Sequence, residues 1–205
     1  MVRAVFNHAD FFDAAQALAA EHGPSAVTVG AITARLGAPT GSFYHRFVSR
    51  NALLGALWLR TVLDFQVGVT AALDANDGLQ AALHTPIWAR DHMDAARLLL
   101  LYDRDDFVQG DWPKELRERV AEMTNRMEAS ASRRARVVFG RDGPEEAQLS
   151  RFLIASLPVA AVREYLIRRE PPPALVDRLI GVTYAAVVSD YQARRERSLT
   201  SDRAG

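Results

Sequence analysis

Cysteine is absent from the 205 residues, and lysine occurs once, at Lys114. Without cysteine the chain has no disulfide, no thiol nucleophile and no cysteine metal site, which fits a cytoplasmic location. The sequence also lacks an uninterrupted apolar run of the roughly 20 residues that a membrane span requires, and no basic start followed by an apolar stretch marks a secretion signal. We therefore expect a cytoplasmic protein without a membrane segment.

Motifs of common enzyme classes are missing as well. The sequence contains no glycine-rich phosphate loop, no Gly-x-Ser-x-Gly and no His-Glu-x-x-His, and its five histidines lack the spacing of metal ligands. One acidic cluster, Asp103, Asp105 and Asp106, is more typical of a solvated helix end than of a metal or acid/base site. We predict that the protein is not an enzyme and uses no catalytic residue, metal or cofactor.

The apolar share of 49% is enough to bury a substantial core, and the net charge is zero. The charge is unevenly divided, because residues 1–60 carry five arginines against three acidic residues, a balance of +2, which leaves −2 for the rest. This asymmetry has the sign expected of a nucleic-acid-binding N-terminal part. Because lysine is nearly absent, contacts with phosphates would come from arginines, hydroxyl groups and backbone amides.

Residues 24–58 have the pattern of a helix-turn-helix. Thr28 is a good N-cap for a helix over residues 29–36, whose apolar residues recur at helical spacing. Gly37 supplies the left-handed residue that commonly ends a helix, and Pro39 starts a second one. A helical hairpin without a nucleic-acid role is the alternative interpretation.

The second helix is short and leaves small or hydrogen-bonding residues outside. Phe43 and Phe47 are four residues apart and can turn inward together. A third helix follows, capped by Ser49, and is expected to continue to about residue 73 as a strut that joins this segment to the rest of the chain. Its first residue, Arg50, is unfavourable for the helix dipole unless an anion lies nearby. We take a DNA phosphate to be that anion. The residues left on the outer faces of the second helix are Thr40, Gly41, Ser42, Tyr44, His45 and Arg46.

These residues resemble the DNA-binding segment of TetR-family transcriptional regulators. The stretch 37–47 reads Gly-x-Pro-x-Gly-Ser-x-Tyr-x-x-Phe, a variant of the family pattern, and Ser-Arg-Asn-Ala-Leu-Leu follows at 49–54. The resemblance extends over about residues 9–57. Gly30-Ala31 departs from the acidic residue that the family often has before Ile-Ala, and Asn51 stands where a glutamate is common. The resemblance implies a DNA-binding regulator that acts as a dimer and is released from DNA by a small molecule.

We predict a DNA-binding site in this segment. A recognition helix presents its N-terminal residues to the major groove, whereas phosphate contacts set position rather than sequence. The groove-edge candidates are Thr40, Ser42, Tyr44 and His45, with Gly41 allowing close approach. The phosphate candidates are Thr28, Tyr44, Arg46 and Arg50. For Arg46, a solvated surface charge is an equally good interpretation.

Aromatic and methionine side chains on the middle helices suggest a small-molecule pocket, the usual form of which is apolar with a few polar groups. Filling of the core is the alternative for each residue taken singly. Candidate polar groups are His92, Tyr102 and Tyr165. The full set of candidates is Trp88, His92, Met93, Tyr102, Phe107, Met123, Met127, Phe152 and Tyr165.

The prolines and the last helices complete the prediction for the C-terminal part. Pro86 is expected to end a short helix over residues 78–84, and Pro158 to kink a helix over residues 145–168. The last helix is expected to end near residue 194. The final two helices are apolar on more than one face and rich in small residues, so we predict that they form a four-helix interface with a second copy. Burial within one subunit is the alternative.

The sequence therefore predicts an all-α protein with three parts. Residues 1–58 form a helix-turn-helix DNA-binding domain, residues 59–197 a helical ligand-binding and dimerisation domain, and residues 198–205 a flexible tail. The predicted function is a homodimeric transcriptional regulator, a repressor that binds a palindromic double-stranded operator and is released by a small-molecule effector. The alternative is a helical ligand-binding or scaffold protein whose degenerate head lacks specific DNA binding.

Overall fold

The computed structural model describes residues 6–107 and 113–202, together with their side chains except those of residues 127–129, 199 and 201–202. Within these ranges all regular structure is helical, which confirms the predicted all-α class. The N-terminal head consists of α1 (His8–His22), α2 (Val29–Leu36), α3 (Thr40–Tyr44) and the first half of α4 (Arg50–Asp74), which continues into the rest of the protein. The body contains α5 (Gly78–Asp91), α6 (Met93–Leu101), α7 (Arg104–Phe107), α8 (Lys114–Phe139), α9 (Pro144–Arg151), α10 (Leu157–Arg168) and α11 (Ala174–Asp202).

Helix α1 begins at a well-formed cap and packs one face into the head. The Asn7 side chain accepts hydrogen bonds from the amides of Ala9 and Asp10, and the Asp10 carboxylate accepts one from the Asn7 amide. This capping box gives the free amides of the first turn hydrogen-bond partners. Gly23 (φ 84°) and a short 3-10 turn, Pro24–Ala26, then redirect the chain into α2. Local signals thus define both ends of α1.

Helix α4 joins the head to the body. Its 25 residues make it about 37 Å long at 1.5 Å per residue. The first half of α4 is buried against α1 to α3, and the same core cluster continues into α6 to α8 through Leu98, Phe107 and Met123. The strut predicted from residue 50 to about 73 is thus confirmed, whereas the division into domains at residue 58 stays a prediction.

The apolar character of α4 reflects this burial. Within the described part of the chain, α4 has the length and hydropathy of a membrane span, yet 50% of that stretch is buried inside the protein. Burial of this kind is usual for the core helix of a soluble protein.

The predicted break at Pro86 is wrong, because α5 continues through it to Asp91. A proline inside a helix removes only one hydrogen bond of the helix, and here its neighbours Thr85, Trp88 and Ala89 are all buried, so packing offsets the loss. The chain breaks instead at His92, whose φ of −132° and ψ of 52° are not helical. The break separates α5 from α6.

The region around Pro158 is irregular where the sequence predicts a kink. Helix α9 passes into a π-helical turn over Phe152–Ser156, and α10 begins immediately after it. A wider turn accommodates the missing amide of the proline without ending the helix. Helix α11 continues to Asp202, past the expected end near residue 194.

A buried carboxylate fastens α9 to α11. Glu146 is 6% exposed, accepts a hydrogen bond from the Tyr191 hydroxyl and pairs with Arg141 at 3.2 Å. The hydrogen bond from Tyr191 is the main cause that lowers the pKa of Glu146, so the carboxylate is ionised at neutral pH. This cluster holds one side of the body in place.

Candidate nucleic-acid interface

Helix α2 is closed at both ends by its own residues. The Thr28 hydroxyl accepts a hydrogen bond of 3.0 Å from the Ala31 amide, as expected of an N-cap. At the other end Gly37 takes the left-handed conformation, with φ 64°, and the Ala38 amide donates to the Thr33 carbonyl at 2.9 Å. Any side chain at position 37 would strain this conformation, so the turn into α3 depends on glycine.

Helix α3 is held to the head by two phenylalanines. Phe43 is fully buried and Phe47 is 7% exposed. Both rings lie 6.0 Å from the ring of Phe11 in edge-to-face geometry, and they lie 5.5 Å from each other. Such aromatic contacts add to the stabilisation from burial, so a helix of only five residues is fixed in orientation.

The remaining residues of α3, and His45 directly after it, face outward. Tyr44 is 60% exposed, Thr40, Gly41 and His45 are exposed, and Ser42 is half-buried. A methyl group built on Gly41 would have no neighbour within 4 Å, so nothing in the described protein requires glycine there. The open space leaves room for an external partner to approach the backbone.

Comparison with known proteins agrees with this geometry. Residues 11–57 match the model of a family described as bacterial regulatory proteins of the tetR family. The matched N-terminal segment is thus similar to the DNA-binding domain of the TetR family. The protein is a DNA-binding transcription regulator, with α2 and α3 as its helix-turn-helix.

One solved structure extends the likeness to most of the chain. It is assigned to the tetR family of transcription regulators, comes from Shewanella sp. PV-4, and superposes with a TM-score of 0.58. Sequence identity is 18%, and the match covers 88% of this chain and 96% of the other, so the likeness concerns the fold alone. No curated protein matches the chain in sequence.

The two arginines predicted to contact phosphates are bound within this head. Arg46 donates to the carbonyls of Ser42 and Phe6, and its guanidinium lies 5.5 Å from the centre of the Phe11 ring. Arg50 donates to the carbonyls of Pro24 and Val27. The carbonyl oxygens of Pro24 and Val27 are thus the partners of Arg50 at the start of α4. The sequence suggested a DNA phosphate for that place.

The other described arginines of the head, Arg35 and Arg60, have acidic partners instead. Arg35 forms two hydrogen bonds of 2.8 Å with Glu21, and Arg60 lies 3.8 Å from Asp13. The hydrogen bond with Arg35 lowers the pKa of Glu21. The positive charge of the head is thus largely used within the protein. The DNA roles of Thr28, Thr40, Gly41, Ser42, Tyr44, His45, Arg46 and Arg50 stay predictions.

The residues predicted to line a ligand pocket are not brought together. Met123 borders a cavity of about 850 Å³ in the body, His92 and Met93 border a second of about 620 Å³, and Tyr102 borders a third of about 620 Å³ beside Thr28. Trp88, Phe107 and Tyr165 are packed in the core or against it and border none of these three cavities. Phe152 is 42% exposed, and the Met127 side chain lies outside the described residues.

His92 and Trp88 instead form a small cluster with α4. Their rings stack at 5.2 Å, and the Trp88 indole donates to the Asp64 carboxylate at 3.1 Å. This contact orients α5 on α4. His92, which was predicted as a polar group of the pocket, therefore stacks on Trp88 instead.

Sequence reasoning missed most of the lining of the body cavity, which comes from α4, α6, α7, α8 and α9. Helical periodicity within one segment gives no signal for a space enclosed by five segments. The available signal was a pair of arginines, Arg134 on α8 and Arg151 on α9, on helix faces whose sequence is typical of the protein surface. The missed lining residues are Trp58, Val62, Phe65, Gln66, Leu99, Leu100, Arg104, Thr124, Ala131, Arg134, Ala147, Gln148 and Arg151.

Proposed function

We propose that the protein is a cytoplasmic, homodimeric repressor that reads a palindromic operator with α3 and is released from it by a small-molecule effector. One observation carries the DNA-binding part. Phe43 and Phe47 fix α3 to the core while Thr40, Tyr44 and His45 point outward. Side chains of these types can hydrogen-bond to base edges and phosphates in a major groove.

Phosphate contacts would come chiefly from hydroxyl groups rather than from unpaired arginines. Thr28 and Tyr44 are exposed, and each has a hydroxyl group that can reach a phosphate. Arg46 and Arg50 would have to share or give up their carbonyl partners to do the same. We therefore expect DNA affinity to depend only modestly on salt concentration, because few counterions are released.

An exposed apolar stripe supports dimerisation through α10 and α11. Leu175, Leu179 and Val182 lie at helical spacing on α11 and are 48%, 54% and 62% exposed. Ile167 on α10 is 59% exposed, and Phe152 precedes it on an exposed face. An apolar surface of this kind is typical of a protein interface. Two copies joined here would carry two heads, which must lie roughly 34 Å apart to enter successive major grooves.

Helix α4 connects the effector to the DNA in this proposal. It begins directly after the turn that follows α3, and its residues Trp58, Val62 and Phe65 border the body cavity. A ligand that displaces these side chains would tilt a stiff helix and change the spacing of the heads. One misfitted head loses the help of the other, so operator affinity falls.

Two arginines from the body hold the end of α1. Arg97 donates to the carbonyl of Ala20 at 3.0 Å and also to that of Leu166, and Arg169 donates to that of Glu21 at 2.6 Å. The head is thereby bound to α6 and to the end of α10 as well as to α4. A displacement in the body would therefore reach the head through two connections.

The DNA-binding part is tested by electrophoretic shift with the duplex beside the protein's own gene. We expect Thr40→Ala to weaken binding by about 1–3 kcal/mol if the hydroxyl contacts a base edge. Thr70→Ala is the matched control, because Thr70 is exposed on α4 away from the helix-turn-helix. Equal affinity for both variants would remove α3 from the interface.

The dimer is tested by sedimentation at micromolar concentration, where a monomer would contradict the proposed interface. A substitution of Leu179 by arginine should favour the monomer, because it places a charge in the apolar stripe.

A second candidate function is a helical ligand-binding or scaffold protein with a degenerate head. The observation in its favour is that the described arginines of the head are all engaged within the protein. The same electrophoretic experiment decides between the two, since a degenerate head would bind no duplex selectively even at low salt.

A further inference from the structure

The body cavity has an apolar floor. Its volume of about 850 Å³ lies within the range of roughly 300–1,000 Å³ that is usual for small-molecule sites. The floor is formed by side chains that are buried or half-buried in the core, so it is shielded from water on that side. A ligand body placed against it would bury apolar surface. The floor residues are Trp58, Val62, Phe65, Leu99, Leu100 and Met123.

The rest of the cavity is cationic. Three arginines, Arg104, Arg134 and Arg151, border it together with two glutamines, and no carboxylate is among its described lining residues. They come from α7, α8 and α9, so the positive charges converge from three helices. A cavity whose lining charges share one sign attracts a ligand of the opposite sign.

Each arginine has a different environment. Arg104 is exposed and pairs weakly with Asp105 at 3.4 Å. Arg134 is half-buried and donates to the Ser130 hydroxyl. Arg151 forms no ion pair with any residue that the structure describes. Arg151 is therefore the cation most available to a ligand.

Arg134 and Arg151 are close enough to affect each other. Burial is the main cause that lowers the pKa of Arg134, and the positive charge of Arg151 lowers it further. Two like charges beside an apolar surface repel each other. An anionic group accepting hydrogen bonds from both guanidinium groups would offset this repulsion, and charge-assisted bonds of that kind are among the stronger ones.

We propose that the effector is an organic anion, with a carboxylate held by Arg134 and Arg151 and an apolar body on the floor formed with Trp58 and Met123. This inference rests on the effector-release function proposed above and adds its chemical class. A cationic ligand would meet three arginines, and a neutral one would gain no charge-assisted hydrogen bond from Arg151.

Matched ligands that differ only in the head group test the class. Decanoate, 1-decanol and decylamine share one linear body, and 2-naphthoate with 2-naphthol provides the same comparison for an aromatic body. In isothermal titration calorimetry with the full chain, we expect at least one carboxylate to bind about tenfold or more tightly than its alcohol, as loss of a charge-assisted hydrogen bond predicts. We expect no binding of the amine.

A substitution at Arg151 tests the location. Arg151→Gln should weaken binding of the carboxylate about tenfold, and Arg151→Lys should restore part of the affinity because it restores the charge. Arg119→Gln on α8 is the matched control, since Arg119 is also exposed and forms no ion pair within the described residues. It should bind as the unaltered protein does.

Several results would overturn the inference. Alcohol or amine binding as well as the carboxylate would exclude an anion-selective site, and equal effects of Arg151→Gln and Arg119→Gln would place the ligand elsewhere. Absence of binding by both carboxylates up to about 1 mM, the weak end of useful affinities, would also reject it.

The failure of this inference is distinguishable from failure of the proposed function. Operator binding is measured by electrophoretic shift without any ligand, so a protein that binds its duplex but no carboxylate loses only the effector class. A protein that binds the carboxylate through Arg151 but no duplex retains the anion site and loses the repressor function. When both are present, added carboxylate should release the duplex, and Arg151→Gln should require about tenfold more of it.

Discussion

The head and the body are packed in different ways. In the head, fully buried aromatic and aliphatic side chains such as Phe11, Ile32 and Phe43 pack in one core cluster, and arginines donate hydrogen bonds to backbone carbonyls. In the body, a π-helical turn and a cavity of about 850 Å³ interrupt the packing. A tightly packed part keeps one geometry, whereas a part with empty space can rearrange when a ligand enters. The difference suits the proposed release mechanism, in which the helices of each head stay fixed while the spacing of the two heads changes.

The largest effect on stability is expected from a variant that opens a gap in the core of the head. Phe43→Ala removes a fully buried ring from the contacts with Phe11 and Phe47, and we expect it to lower the free energy of unfolding by about 3–5 kcal/mol. Urea unfolding monitored by circular dichroism measures the change. The neighbouring variant Tyr44→Ala is the control, because its ring is 60% exposed.

The two variants should separate stability from recognition. Tyr44→Ala should change the unfolding free energy by no more than about 0.5 kcal/mol while it weakens DNA binding. If Phe43→Ala were as stable as Tyr44→Ala, the aromatic cluster would not be what fixes α3.

The connection between the two regions is tested at Arg97. Arg97→Met keeps an unbranched side chain but leaves the carbonyls of Ala20 and Leu166 without this donor, and we expect a loss of about 1–3 kcal/mol. Amide hydrogen exchange should also become faster at the end of α1.

Arg163→Met provides the comparison for this effect. Arg163 also donates to a backbone carbonyl, that of Leu100 at 3.1 Å, but it does so from an exposed position. Its loss should cost much less, because water can replace it. Similar losses for both variants would show that Arg97 does not contribute through burial.

The smallest expected effect concerns pH and the α4–α5 contact in the body. The Nε2 of His84 donates a hydrogen bond of 2.9 Å to the Phe65 carbonyl, and burial is the main cause that lowers the pKa of His84. The unfolded chain therefore binds the proton at a higher pH than the folded protein does. Stability from the neutral ring is present above about pH 6.5, the ordinary value, and decreases as the pH falls below it.

His84→Gln isolates this contribution, because glutamine can still donate to the Phe65 carbonyl but does not ionise. Thermal unfolding between about pH 8 and pH 5.5 should show a smaller decrease for the variant than for the unaltered protein. An NMR titration of His84 that gave a pKa above 6.5 would reverse the sign and contradict this prediction.

The parts of the protein that were predictable are those encoded in contiguous residues. Thr28, Gly37 and Pro39 specify the ends of α2 and the start of α3 through local hydrogen bonds and backbone geometry, and the spacing of Phe43 and Phe47 predicts the inward face of α3. These features depend on neighbours within about one helical turn. Pro86 shows where local rules fail, since the packing of α5 outweighs the loss of one hydrogen bond.

By itself, the sequence determined the all-α class, the helix-turn-helix and the long helix that follows it, because capping, glycine conformation and apolar periodicity act over a few residues. Only the tertiary structure decided that Arg46 and Arg50 bind carbonyl groups inside the head, and that Arg134 and Arg151 border the same apolar cavity. Those contacts join segments far apart in the chain. Their formation depends on how the helices pack, which no local pattern records.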